Sequence, residues 1–304
     1  MPAPFILPNS LTSGPFSRQQ ALDAGVTSRM LQGGRFVRLF PRVYVLRTHV
    51  MSISDWIRAA QLSMPERAVL SHLTRIQLLG LDIGPRRPFH FTVIGDLHLD
   101  VPDVFLHRTE VMPPRDDDGV TPAAAWIGAA TQVRLIDLIM IGDWLLFTQA
   151  ATPVEMAELV HAMPWRPGAT PAGAALAWLR EGAESLKESE VRTLILACGL
   201  PEPEVNPVIR SGGAFVGRVD LLFRKYGVVV EYDGRQHAED IAQWNRDLVR
   251  NVGLDDTGLY VIHVTQEKLR APRALMYEIY RRLVERGYRG PEPDFDETWR
   301  LLFA

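Results

Sequence analysis

Three acids late in the chain fall where strand periodicity brings carboxylates together. Residues Phe215 to Phe223 and Gly227 to Asp233 are rich in strand formers and are separated by a turn region at Arg224 to Tyr226, which predicts a hairpin. Side chains alternate along a strand, so Glu231 and Asp233 share one face with Val229, while Val228, Val230 and Tyr232 take the other. Asp220 lies on the partner strand between Val219 and Leu221. Carboxylates flanked this closely by Val and Leu are partly desolvated, and a buried carboxylate is costly unless it is paired or bound to a cation. A divalent ion meets that need. Asp220 and Glu231 offer hard oxygen ligands, and Glu190, on the helix that precedes them, can supply a third. Mg²⁺, or Mn²⁺ in its place, suits such a set because it keeps several waters and binds phosphate oxygens directly. Acidifying a water and neutralising charge on a phosphate ester are what phosphodiester hydrolysis needs. The alternative is structural: Glu231 in an ordinary ion pair with Arg218 or Arg246, and Asp233-Gly234 as a plain turn.

These acids need elements to hold them. From Glu184 a helical pattern runs through Leu186, Val191, Leu194, Ile195 and Ala197 to Gly199, just before Pro201, and carries Glu190. The Pro- and Gly-containing stretch Pro164 to Gly173 and the Glu-rich stretch Glu181 to Glu190 set a boundary near 180, which makes 181–304 the last domain. At the other end, Ser17-Arg18-Gln19-Gln20 reads as a capping box opening a short helix, and Thr27 can cap a second through Leu31. Phe36 to Val45 then reads as two short strands bent at Pro41-Arg42, completing the helix, helix, hairpin order of a winged helix over residues 1–50. In that arrangement Ser28, Arg29 and Gln32 face the major groove, and Arg38 and Arg42 face phosphates, with Arg35 adding to the same positive field. Residues 51–180 form a middle α+β region, with helices expected over 55–62, 71–79, 129–147, 154–161 and 171–179 and strands over 89–93 and 104–107. Within it Asp116, Asp117 and Asp118 read as a solvated loop, since three consecutive carboxylates cannot all face one ion, and His72 reads as a packing or hydrogen-bonding residue.

Charge supports this division. The whole chain of 304 residues has a formal net charge of -3, which by itself argues against a nucleic-acid partner. Six arginines against Asp23 alone, however, give residues 1–50 a net charge of +5, leaving -8 for the rest. A basic head on an acidic body is a local footprint for phosphate. A single cysteine, Cys198 in the apolar run LILACGL, excludes a disulfide framework and a Cys-based zinc site. The most apolar long stretch, 135–147, is broken by Asp137 and Asp143, and the first ten residues lack the positive region of a signal peptide, so a cytoplasmic protein outside the membrane is expected.

Two resemblances follow. The segments Glu190-Val191-Arg192, RVDLLF, VVVEYDGRQH, WNRDLVRNVGL and YVIHVT resemble, in that order, the Vsr-like nuclease domains related to the very-short-patch-repair endonuclease, a branch of the PD-(D/E)xK superfamily. The resemblance implies a restriction-endonuclease-like mixed sheet flanked by helices, with Asp220 and Glu231 at the two acidic motif positions and Glu190 as the helical acid. It implies that Asp233 stands where the wider superfamily has lysine, with His237 taking over the handling of the attacking water, and that Arg250 holds substrate phosphate. Leu259-Tyr260 and His263 depart from residues common in that branch. Residues 16–45 resemble the winged-helix domain of AbiEi-family antitoxins, which implies operator binding and a cognate toxin as partner. The expectation is therefore a multidomain α/β protein that binds double-stranded DNA and cleaves it as a divalent-metal-dependent endonuclease. The alternative is a non-enzymatic, antitoxin-like regulator with a degenerate nuclease fold.

Overall fold

The computed structural model describes residues 7–233 and 257–303, which divide into two compact units, 1–132 and 133–304. Both helices and sheets occur in each, so the chain has the expected multidomain α+β character. The boundary expected near 180 thus falls inside the second unit, because the helices before it pack on the helix after it.

The first unit opens with β1 (Phe16–Ser17), α1 (Arg18–Asp23), α2 (Ser28–Leu31), β2 (Phe36–Phe40) and β3 (Val43–Leu46), the strands forming a sheet in the order β1-β3-β2. The capping box forms, with Gln20 N donating to Ser17 Oγ and Ser17 N to Gln20 Oε1, and Thr27 Oγ1 caps α2. Phe16, Ala21, Val26, Leu31 and Phe36 make one core. Phe40 and Val43 face a second, shared with Ile57, Ala59 and Ala60 of α3 (Ile53–Ser63). The hairpin of the head therefore contributes to two cores.

The unit continues with β4 (Val69–Leu70), α4 (His72–Leu78), β5 (Phe89–Ile94), β6 (Val104–Thr109) and α5 (Pro122–Ala129), with the sheet order β4-β5-β6 and β5 parallel to β6. One helix was expected over 129–147; two form, the break covering 130–134. Asp116 is more than a solvated loop residue: its Oδ2 accepts from Nη2 of the buried Arg75 at 2.8 Å, and its Oδ1 accepts from the backbone of Asp118 and Gly119.

His72 packs as expected, its ring stacked on that of His107 with centroids 3.5 Å apart, against Gly128 of α5, where a Cβ would meet the ring at 2.9 Å. His107 Nε2 lies 2.9 Å from His90 Nδ1 across the two parallel strands. Burial lowers both His90 and His107 to about 4, with His90 adding to the depression at His107. The unfolded chain takes up these protons near pH 6.5 and the folded one only near 4, so stability is lost as pH falls between those values. We expect chemical unfolding of the intact protein to show the first unit weakened by roughly 2 to 3 kcal/mol at pH 4.5 relative to pH 7, after allowing for partial exposure. His107→Gln should flatten that dependence, and an equally steep profile in the variant would exclude these rings as its source.

The second unit begins with α6 (Leu135–Phe147), α7 (Pro153–Ala162), α8 (Ala169–Leu176) and α9 (Leu186–Ala197), α6 lying against both α8 and α9. Then come β7 (Glu204–Val205), β8 (Val208–Ser211), β9 (Ala214–Arg218), β10 (Leu221–Phe223), β11 (Val228–Tyr232), β12 (Tyr260–Val264), α10 (Gln266–Leu269), α11 (Pro272–Glu285) and α12 (Glu297–Leu301). The main sheet has the order β12-β11-β10-β7, with β11 parallel to β12 and antiparallel to β10. It is the mixed sheet expected. The expected long strand over 215–223 is broken at Val219-Asp220, and its first half pairs with β8 in a separate two-stranded hairpin.

Candidate functional site

The break in that strand is where Asp220 sits. β10 and β11 pair through Leu221↔Val230, so one step further along the ladder sets Asp220 opposite Glu231. There the backbone bends, and the carboxylate substitutes for a ladder acceptor: Tyr232 N donates to Asp220 Oδ2 at 2.8 Å. On the other side Asn206 N donates to Asp220 O at 2.8 Å, tying the bend to the end of β7. The local sequence explains the arrangement, since an Asp readily bonds nearby backbone where regular pairing stops.

Glu231 is only 7% exposed, in a strand whose three preceding residues, Val228, Val229 and Val230, are all buried. The main sheet buries both faces here, which is why the valines do not alternate between core and solvent. Glu231 stands in register with His263 of β12 on its other side. Asp233, past the strand end, is half exposed, and its Oδ2 lies 3.1 Å from His263 Nδ1. The structure thus ties Asp220 to the backbone that follows Glu231 and hands Asp233 to a histidine.

Glu190 behaves differently. Its Oε2 is 2.5 Å from Lys187 Nζ in an i,i+3 pair, and its charge raises the pKa of Arg134, which is held chiefly by Asp137. Two residues earlier, Glu188 is 8% exposed and its Oε2 accepts from Asn206 Nδ2 at 2.7 Å and from Glu184 N at 2.9 Å. Asn206 is the residue whose backbone holds Asp220, so Glu188 is one side chain away from the acidic pair. The sequence reading missed it. Helical spacing does set Glu188 with Val191, Arg192 and Ile195 in an i, i+3, i+4, i+7 row, all buried, but the neighbouring rows are buried too, so spacing alone does not single it out. Ser185 Oγ caps the helix at Glu188 N and so sets where that face begins.

Among the described residues no group of three or more His, Cys, Asp or Glu is disposed to hold a metal ion. His237 and Arg250, and Arg246 of the structural alternative, lie outside the described residues.

In the first unit Arg29, Gln32, Arg35, Arg38 and Arg42 are exposed. Arg42, at the tip between β2 and β3, has a φ of 64°. Ser28 is half buried and its Oγ accepts from Arg18 Nη2 at 2.8 Å, so it braces Arg18 instead of standing free for a base. The helix carrying Arg29 is a single turn of four residues, ended by Gly33-Gly34.

No family model matches the chain. The uncharacterized protein Rv2248 of Mycobacterium tuberculosis (strain ATCC 25618 / H37Rv) and the uncharacterized protein MT2308 of strain CDC 1551 / Oshkosh are each 25% identical to it over 269 residues, 87% of this chain and 97% of theirs. A likeness of that length is longer than either unit and so draws on both. Among the described residues no helix is long and apolar enough to cross a membrane.

Proposed function

We propose that this chain is a DNA-binding, divalent-metal-dependent endonuclease, with the arginine-bearing head engaging duplex and the second unit hydrolysing a phosphodiester bond. The observation that carries the reading is the hydrogen bond by which Asp220, at the bend just before β10, holds the backbone of Tyr232 next to the buried Glu231 of β11. Two adjacent carboxylates fit a Mg²⁺ or Mn²⁺ ion, which typically takes one or two from the protein and fills its other positions with water and phosphate oxygens. Bound there, such an ion supplies an acidified water and a counter-charge for the phosphate. The chain's own part is to hold the two acids in register through β10 and β11, to fix Asp220 through Tyr232 N and Asn206 N, and to keep Glu188 close behind through Asn206.

Incubation of the purified protein with supercoiled plasmid and with duplex oligonucleotides, in Mg²⁺ or Mn²⁺ and in EDTA, tests this directly. Nicked or linear product that EDTA prevents supports the reading, and intact DNA under every divalent condition sinks it. A second reading, an antitoxin-like regulator whose nuclease fold serves as a platform for a toxin protein, is favoured by one observation: Asp233, at the position where the wider superfamily has lysine, is engaged by His263. That reading expects tight, sequence-dependent duplex binding without cleavage.

The head is tested by substitution, since deleting residues 1–50 would strip Phe40 and Val43 from the core of the remainder. Each arginine–phosphate contact removed lowers the slope of log affinity against log salt by about 0.9. The Arg29→Ala, Arg38→Ala, Arg42→Ala triple variant should bind duplex more weakly, with the slope reduced by roughly 2 to 3. An unchanged slope in a filter-binding or anisotropy titration would remove this surface from the DNA interface.

A further inference from the structure

The β8–β9 hairpin directs an aromatic side chain into solvent by means of a β-bulge. Its pairs are Val208↔Arg218, Ile209↔Gly217, Arg210↔Phe215 and Ser211↔Ala214, with a register shift between Ile209 and Arg210 that leaves Val216 as the extra residue. Ile209 and Gly217 are buried, and Ile209 packs in a core with Val219, Leu222 and Val229, against which Val216 also rests. Strict alternation from Gly217 would return Phe215 to that core side. The bulge lets Val216 and Gly217 both face inward and turns Phe215 outward, where it is 65% exposed beside Val208 at 46%. Bulges recur where a side chain must be re-aimed for function.

The outward face is basic around this phenylalanine. Arg210 is directly opposite it, Arg218 is on the same face, and both guanidiniums are exposed. Arg210 Nη1 makes a long contact, 3.3 Å, with Gly213 O inside the hairpin, and Arg218 Nη2 pairs with Glu184. The tip, Ser211-Gly212-Gly213, is narrow, with both glycines at positive φ, 57° and 87°. Phe215 and Asp220 are five positions apart in the chain, so their Cα atoms are no more than about 18 Å apart, which is about half a turn of duplex.

The geometry points to the β8–β9 hairpin as a duplex-DNA contact, in which Phe215 wedges against the base stack beside the cleavage site while Arg210, opposite it, takes a flanking phosphate. A two-stranded ribbon fits a DNA groove, and apolar wedges flanked by arginine are a known way to unstack a base step. This inference rests on the proposed action on DNA and adds to it the residue that would position, or select by its deformability, the step to be cut.

The test is fluorescence of duplexes carrying 2-aminopurine at successive positions, titrated with the full-length protein in EDTA so that no cleavage occurs. Wild type should raise the fluorescence at one or two positions. Phe215→Ala should abolish that rise and weaken binding about tenfold, while Phe215→Trp restores both. If wild type binds duplex with the stack undisturbed, if Phe215→Ala disturbs it equally, or if Phe215 proves to mediate association with a protein and leaves DNA unaffected, the wedge is wrong, whether or not the protein cleaves. If wild type unstacks the step yet never cleaves in Mg²⁺ or Mn²⁺, the wedge stands and the nuclease reading falls.

Discussion

Asp220→Asn and Glu231→Gln should each reduce metal-dependent plasmid cleavage by about 10² to 10³ or more, with duplex binding by the head unaltered. Both substitutions are nearly isosteric. The amide in Asp220→Asn keeps an oxygen for Tyr232 N, so the broken ladder at β10 and β11 should survive while the local negative charge is lost. The helical acid is resolved by the same assay. Glu188→Gln, buried against Asn206, should lower cleavage. Glu190→Gln loses the pair with Lys187, a partly exposed contact of the kind worth about 0 to 1 kcal/mol, and a longer-range attraction to Arg134, and should leave it near wild type. The reverse order would return Glu190 to the site. Full cleavage in both Asp220→Asn and Glu231→Gln would exclude these acids as the reacting centre.

Asp143→Ala should destabilise the second unit by about 3 to 5 kcal/mol, read as a lower urea midpoint for its transition. Asp143 of α6 and Arg192 of α9 are both fully buried, and Arg192 Nη2 donates to Asp143 Oδ2 at 2.6 Å and to Trp178 O at 2.9 Å. Asp143 Oδ1 accepts from Arg180 N, so the pair joins α6, the chain after α8 and α9. Burial pushes the Asp143 carboxyl up, and Arg192, with the hydrogen bonds from Arg180 N and Ser189, pulls it back. Arg192 Nε and Nη1 are buried without a hydrogen-bond partner among the described residues, so removing Asp143 leaves a guanidinium with still fewer contacts. Replacing both members, as Asp143→Leu with Arg192→Met, should cost clearly less than Asp143→Ala alone, because the cost lies in stranding a charge and not in losing an attraction. Equal losses in the single and double variants would contradict that account. Since α9 also carries Glu188, cleavage by Asp143→Ala should fall as the helix loosens.

Much of the molecule was readable in advance because local chemistry decides it. The capping residues Ser17 and Thr27, the bend at Pro41-Arg42, the apolar strand runs Phe89 to Val93 and Val228 to Tyr232, and the glycine stop at Gly199 each act over a few residues, and each element forms where that chemistry places it. The same holds for the exposed arginines of the head, since charged side chains stay in water unless paired. Where reading failed, the deciding interaction was distant in sequence. A strand over 215–223 has good local propensity throughout, yet it breaks at Asp220 because the carboxylate bonds Tyr232 N across the sheet and β9 finds a closer partner in β8. Asp143 looked like an interruption of an apolar helix; its partner Arg192 is 49 residues away.

The helical acid shows the same division within a single turn. By itself the sequence determined that a helix carrying several glutamates forms over roughly 184–197, because periodicity and capping are local properties of the chain. Which glutamate turns inward was decided only by tertiary packing. α9 is buried around most of its circumference, so hydrophobic spacing distinguishes its faces poorly, and the choice falls to whichever acid can be satisfied once desolvated. Asn206, delivered by β7 beside Asp220, satisfies Glu188; Lys187, on the helix itself, satisfies Glu190 nearer to solvent.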